Sequence, residues 1–176
     1  MLAYVQALIN IALRRSGPED LPDSTFLLGL TLALYLVAQL PLALIAYGPT
    51  DLLLRTLAVS LLLLFAGMWV LLRLTGHRAR YRRTVTAMLG ASALLSVLSI
   101  PFSVWRQSML NTESGVAMPS TFLFAIMLWS IVIDGHILSR ALSRPFGIGL
   151  LVSIGYFFLH TSLLYELIPG EVGTTR

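Results

Sequence analysis

Five long apolar stretches, almost free of charge, constrain what this chain can fold into more than any other feature. They run over about 24–47, 51–74, 84–105, 119–138 and 146–168. A helix rises about 1.5 Å per residue, so roughly 20 residues cross the hydrocarbon core of a bilayer. At that depth backbone N–H and C=O groups find no water, and a helix satisfies them within the segment. Of all residues 57% are apolar and 11% charged, against about 25% charged in an ordinary soluble domain. A soluble enzyme, a disordered tail and a nucleic-acid module are excluded. The expected fold is all-α, with five transmembrane helices.

The first fifteen residues, MLAYVQALINIALRR, have helical periodicity but are too short to span. Leu2, Val5, Leu8, Ile9, Ala12 and Leu13 fall on one side, and Gln6, Asn10 and Arg14 on the other. An amphipathic helix lying in the interface, its apolar face toward lipid or toward the bundle, is expected over 1–15. An acidic loop rich in Pro and Gly follows at 16–23, carrying Glu19, Asp20 and Asp23. The spans are joined by a turn at Gly48-Pro49-Thr50, a basic loop at 75–83, a polar stretch at 106–118 and a short turn at 139–145. A polar tail closes the chain at 169–176.

Arginine placement predicts orientation. With the N-terminus inside, Arg14, Arg15, Arg73, Arg78, Arg80, Arg82, Arg83, Arg140 and Arg144 face the cytoplasm, and only Arg55, Arg106 and Arg176 lie outside. Nine against three argues for N-in, C-out under the positive-inside rule. The net charge of +4 therefore reflects span flanks rather than a nucleic-acid surface. All twelve basic residues are Arg, a composition that points to a GC-rich bacterial source and so to the inner membrane. The chain has no Cys and three scattered His; no disulfide, metal site or cofactor is expected. The N-terminus has no secretory cleavage pattern.

Ionisable and polar groups inside spans are functional candidates by default. Asp134 and His136 lie near the cytoplasmic end of the fourth span. A salt bridge from Asp134 to Arg73, Arg140 or the basic loop competes with a proton or ion site. His160 and Gln39 match in depth, which allows an interhelical hydrogen bond; a His–Ser contact or a relay are the alternatives. Near the outer face Arg55 can pair with Glu166, or with Asp51 one turn away on its own helix. Ser92, Ser96, Ser99 and Ser103 form a stripe on the third span, and Gly147, Gly149, Ser153 and Gly155 a small-residue region on the fifth. Both read as helix-packing faces, with a serine-lined polar pathway as the other reading. Pro41 and Pro101 are expected to kink their spans.

Catalysis is not expected. Gly90-Ala91-Ser92-Ala93 has the Gly-x-Ser pattern of an intramembrane serine protease. Yet Ser92 and His160 differ in depth by about 9 Å, beyond hydrogen-bond reach. No phosphate loop or His-Glu-x-x-His occurs.

The segment LLLLFAGMWVLLRLTGHRARYRRTVTAMLGASALLSVLSIPFSVW (Leu61 to Trp105) carries a span, a Gly-containing basic loop and a span with a late Pro. With five short-looped spans, it resembles the Yip family of small membrane proteins, whose eukaryotic members interact with Rab GTPases. Here the amphipathic helix and the GPEDLPD loop stand in place of the long cytosolic N-terminal region of those members. The resemblance carries over no functional residue.

The sequence therefore predicts an accessory or scaffold protein of the membrane, acting by protein–protein or protein–lipid contacts, including self-association. Its contact surfaces would be the N-terminal helix, the acidic loop and the basic loop with Arg78, Arg80, Arg82 and Arg83, which attracts anionic lipid. The alternative is a small proton- or ion-coupled transporter using Asp134, His136 and His160.

Overall fold

The computed structural model describes residues 2–48, 51–110 and 115–167. Pro49, Thr50, part of the polar stretch at 106–118, the expected last residue of the fifth span (Ile168) and the tail at 169–176 lie outside them. Every regular element among the described residues is helical: α1 (Leu2–Ala12), α2 (Thr25–Tyr47), α3 (Asp51–Leu74), α4 (Tyr81–Ser108), α5 (Ala117–Ala141) and α6 (Phe146–Leu167). Short 3₁₀ turns sit at Pro18–Asp20 and Arg78–Arg80. The helices α2 to α6 are each long and apolar enough to cross a membrane, which fits a multi-pass membrane protein. Their outward faces carry Phe26, Val37, Leu62, Leu151 and Phe158, large apolar side chains of the kind lipid accommodates and water does not.

Local chemistry sets the helix ends. Ser24 caps α2, its Oγ accepting from the Leu27 N–H at 3.4 Å. Three helices, α1, α3 and α5, finish at the same end of the bundle in a left-handed residue: Arg14 (φ 60°), Gly76 (φ 78°) and Ser143 (φ 52°). In each, the following N–H bonds back five residues: Arg15 to the Asn10 carbonyl, His77 to Leu72 and Arg144 to Ser139. This is the Schellman closure, which satisfies carbonyls left over at a helix end. Pro41 and Pro101 lie inside α2 and α4, which remain helical through them.

Round the bundle the order is α2, α4, α5, α6 and α3, each packed on the next, with α2–α4 and α5–α6 the most extensive contacts and α3 the lightest partner. Helix α4 is the hub. Its first part, Thr84 to Ala91, is wholly buried because α1, the 18–20 turn, α2 and α5 surround it. Helix α1 shows three faces rather than two. Leu8 and Ile11 are buried against the bundle, Val5, Ile9 and Leu13 are exposed apolar residues, and Gln6 and Arg14 are exposed polar ones. The bundle side is close enough that a Cβ on Gly90 would meet Leu8 Cδ2 at 2.4 Å. Tyr4 completes the seam by bonding to Thr31 of α2. The Thr31 hydroxyl proton is committed to the Leu27 carbonyl at 2.6 Å, so Tyr4 is the donor, and burial pushes its phenol up.

Candidate functional site

The five long helices line a partly open cavity of about 350 Å³. Its wall mixes apolar side chains, such as Leu64, Met88 and Phe157, with a set of polar ones. Tyr35 and Gln39 come from α2, Ser60 from α3, Ser92, Ser96 and Ser99 from α4, Ser130 and Asp134 from α5, and Ser153, Tyr156 and His160 from α6.

Helical rise explains which of these meet. Gln39 lies fourteen residues from Thr25, Ser60 fourteen from Leu74, and His160 fourteen from Phe146; Ser96 is fifteen from Tyr81. All four therefore sit at about the same level, roughly 21 Å from the basic end of the bundle. Neighbourhood then decides the pairs. Because α2 packs on α4, the Ser96 hydroxyl donates to Gln39 Oε1 at 2.6 Å. Because α3 lies beside α6, Ser60 Oγ and His160 Nε2 share a hydrogen bond of 2.9 Å. The depth match between Gln39 and His160 is real, but each takes a serine on its adjacent helix instead of the other. His160 likewise takes Ser60 and not Ser92.

Asp134 lies seven residues from the end of α5, about 10 Å nearer the basic end than His160. The structure makes none of the expected ion pairs to it. Arg140 turns to Glu19 at 3.5 Å, and the Arg73 guanidinium lies 4.7 Å from the centre of the Trp69 ring. Among the described residues Asp134 has no ion pair and no hydrogen-bond donor. Tyr156, one turn below His160 on α6 with the two rings stacked at 6.3 Å, falls between the two levels.

The backbone beside Asp134 is tightly fixed. A Cβ on Gly149 would lie 2.2 Å from the Gly135 carbonyl oxygen, and one on Gly135 would lie 2.9 Å from Leu150 Cα. Helices α5 and α6 therefore touch backbone to backbone at this crossing. Ser153 adds a bond from its hydroxyl to the Ile131 carbonyl at 2.9 Å. Carboxylate and imidazole thus reach the cavity from two helices locked against each other.

Several expected residues fall elsewhere. His136 points away from the cavity, its Nε2 donating to the Ser16 carbonyl at 3.0 Å. Ser103 is half-buried on α4 outside the cavity wall. Arg55 and Glu166 are exposed, and among the described residues neither pairs with the other, nor Arg55 with Asp51. At the basic end Arg82 meets Asp23 at 3.6 Å, Arg83 bonds the Glu19 carbonyl at 3.3 Å, Arg80 bonds the end of α5, and Arg78 is exposed. Among the described residues no group of His, Cys, Asp and Glu is placed to hold a metal. Ser60, Ser130, Tyr35 and Tyr156 join the site without having been singled out. For Ser60 the signal was present, since its depth equals that of His160. The chain matches no family model, no curated protein and no solved structure.

Proposed function

We propose that this chain is a small proton- or ion-coupled carrier of the bacterial inner membrane, with Asp134 as its charge-changing group and His160 with Ser60 as a second proton-exchanging station. One observation carries the reading: a polar cavity shared by all five long helices holds a carboxylate with no counter-ion among the described residues. Intramembrane acids without a structural partner mark ion and proton pathways. Asp134, Tyr156 and His160 step along the cavity wall at intervals of about 5 Å in depth, so protonatable groups follow one another along the membrane normal. His136 drops out of the site on this reading, because its ring is engaged at the basic end.

The accessory or scaffold reading rests on the N-terminal helix, the acidic loop and the basic loop as contact surfaces. The acidic loop is instead engaged within the protein: Asp23 meets Arg82 at the start of α4 and Glu19 meets Arg140 at the end of α5, and Asp20 accepts from the Gly17 N–H at 3.0 Å. That shifts the weight to the cavity. The orientation that goes with the proposal is N-in, C-out, supported by the nine arginines at the basic end. A cysteine at Ala79 that reacted in whole cells with an impermeant maleimide would overturn that orientation.

The test of function is proton flux into pyranine-loaded proteoliposomes under an imposed potential. Wild-type protein should carry protons above the protein-free rate, Asp134→Asn should abolish this, and His136→Gln should retain it. No wild-type flux, or full flux in Asp134→Asn, overturns the proposal. In the first case, a second protein in fixed ratio after native purification would restore the accessory reading.

A further inference from the structure

A second cavity, about 580 Å³, opens at the basic end, where the 18–20 turn faces the start of α4 and the end of α5. Four guanidinium groups line it, those of Arg80, Arg83, Arg140 and Arg144, against one carboxylate, Glu19. Like charges gathered round one cleft repel, and an anion placed between them relieves that repulsion.

The cleft is also preorganised. Arg80 reaches across with Nη1 to the Arg140 carbonyl at 3.1 Å, the Ala141 carbonyl at 3.0 Å and Ser143 Oγ at 2.6 Å. One nitrogen thereby fixes the side chain, and the other guanidinium donors remain free. Ser143 holds a left-handed conformation, φ 52°, where glycine is the usual residue. A glycine there would remove the hydroxyl that positions Arg80. Arg83 and Arg144 enter from α4 and from the turn after α5. Arg144 has no ion pair among the described residues, and Arg83 bonds only a backbone carbonyl. Planar forks on several sides of a cleft suit the tetrahedral oxygens of phosphate better than a planar carboxylate.

We propose that this cleft binds a phosphate group, carried by a lipid headgroup or by a soluble phosphate ester, with Glu19 as the internal anion it displaces. The site is independent of the carrier proposal and survives its failure.

The full chain, purified in neutral detergent, is titrated with inorganic phosphate. Separately, it is titrated with short-chain phosphatidic acid against phosphatidylcholine of equal chain length, and thermal unfolding is followed. Stabilisation by phosphatidic acid alone assigns a lipid headgroup; stabilisation by inorganic phosphate as well assigns the soluble group. In either case Arg83→Gln and Arg144→Gln should each weaken binding about tenfold, a charge-assisted bidentate contact of ordinary strength. Glu19→Gln should tighten binding, which no folding defect mimics. Arg78→Gln, exposed and outside the cleft, should leave it unchanged. The proposal is overturned if neither probe stabilises the wild type, if Arg78→Gln weakens binding as much as Arg144→Gln, or if Glu19→Gln loosens it.

Discussion

The central cavity and the arginine cleft use charge in opposite ways. In the cleft, charges are many, close to the aqueous boundary and partly matched, so each pairing adds little and is screened by salt. In the cavity there is one acid, part-buried, on a wall it shares with hydroxyls and, about 10 Å further along the membrane normal, an amide and an imidazole, with no cation beside it among the described residues. Taking a charge out of water is expensive unless it is paired. A group kept in such a place for stability alone would have been given a partner. Arg140, the nearest arginine along α5, is drawn instead to Glu19. The difference is one of environment: the basic end holds many charges at the aqueous boundary, and the cavity holds one acid without a counter-ion among the described residues.

The contrast depends first on the α5–α6 crossing that holds Asp134 in place. Gly149→Leu would drive a side chain into the Gly135 carbonyl, and backbone cannot step aside as a flexible side chain can. Overpacking of this kind costs about 1–3 kcal/mol, occasionally more. The expected outcome is a large fall in thermal stability and in the monodisperse fraction on size exclusion. Gly155→Ala, on the same helix but facing open space, should change neither. Equal tolerance of both would mean that α5 and α6 do not cross at these glycines.

The second test concerns the sign of an effect. Removing one partner of a buried ion pair costs about 3–5 kcal/mol, because the other charge is stranded. Asp134 has no such partner among the described residues, so Asp134→Asn should leave thermal stability unchanged or raise it. A drop of several kcal/mol would show that an arginine reaches Asp134 after all, and the two regions would then share one electrostatic design.

Much of this arrangement was readable from residue spacing. Five spans follow from five apolar runs, because hydropathy and helix length are the same physical requirement in a bilayer. Helix ends were less legible. Helix α4 starts at Tyr81 and runs to Ser108, beyond the apolar run at 84–105, since Arg82, Arg83 and Gln107 are competent helix residues that simply sit at the boundary. Helix α1 closes on Arg14, ahead of the Pro- and Gly-rich loop, because a Schellman closure needs a left-handed backbone and an arginine adopts it here. Depth matched Gln39 with His160 correctly, yet depth is one coordinate. The serines that bond them, Ser96 and Ser60, were chosen by which helices are neighbours. That is a property of packing between segments far apart in sequence, and periodicity within one helix does not encode it. The ion pair that competed for Asp134 is absent among the described residues for the same reason: Arg140 has Glu19 and Arg73 has the Trp69 ring as its nearer neighbour.

The smallest expected effect lies at the surface and sharpens the contrast from the other side. Arg82 and Asp23 meet at 3.6 Å with side chains 55% and 40% exposed, so water competes for both. A double-mutant cycle of Arg82→Ala and Asp23→Ala should give a coupling of less than about 1 kcal/mol, shrinking further as salt is raised. Each single variant should unfold almost as the wild type does. A coupling several times larger and insensitive to salt would mean that the acidic loop is clamped as rigidly as the α5–α6 crossing. Glu19 would then be too tightly held for an incoming phosphate to displace, so the cycle also bears on the cleft: weak coupling is what leaves the 18–20 turn free to yield its internal anion.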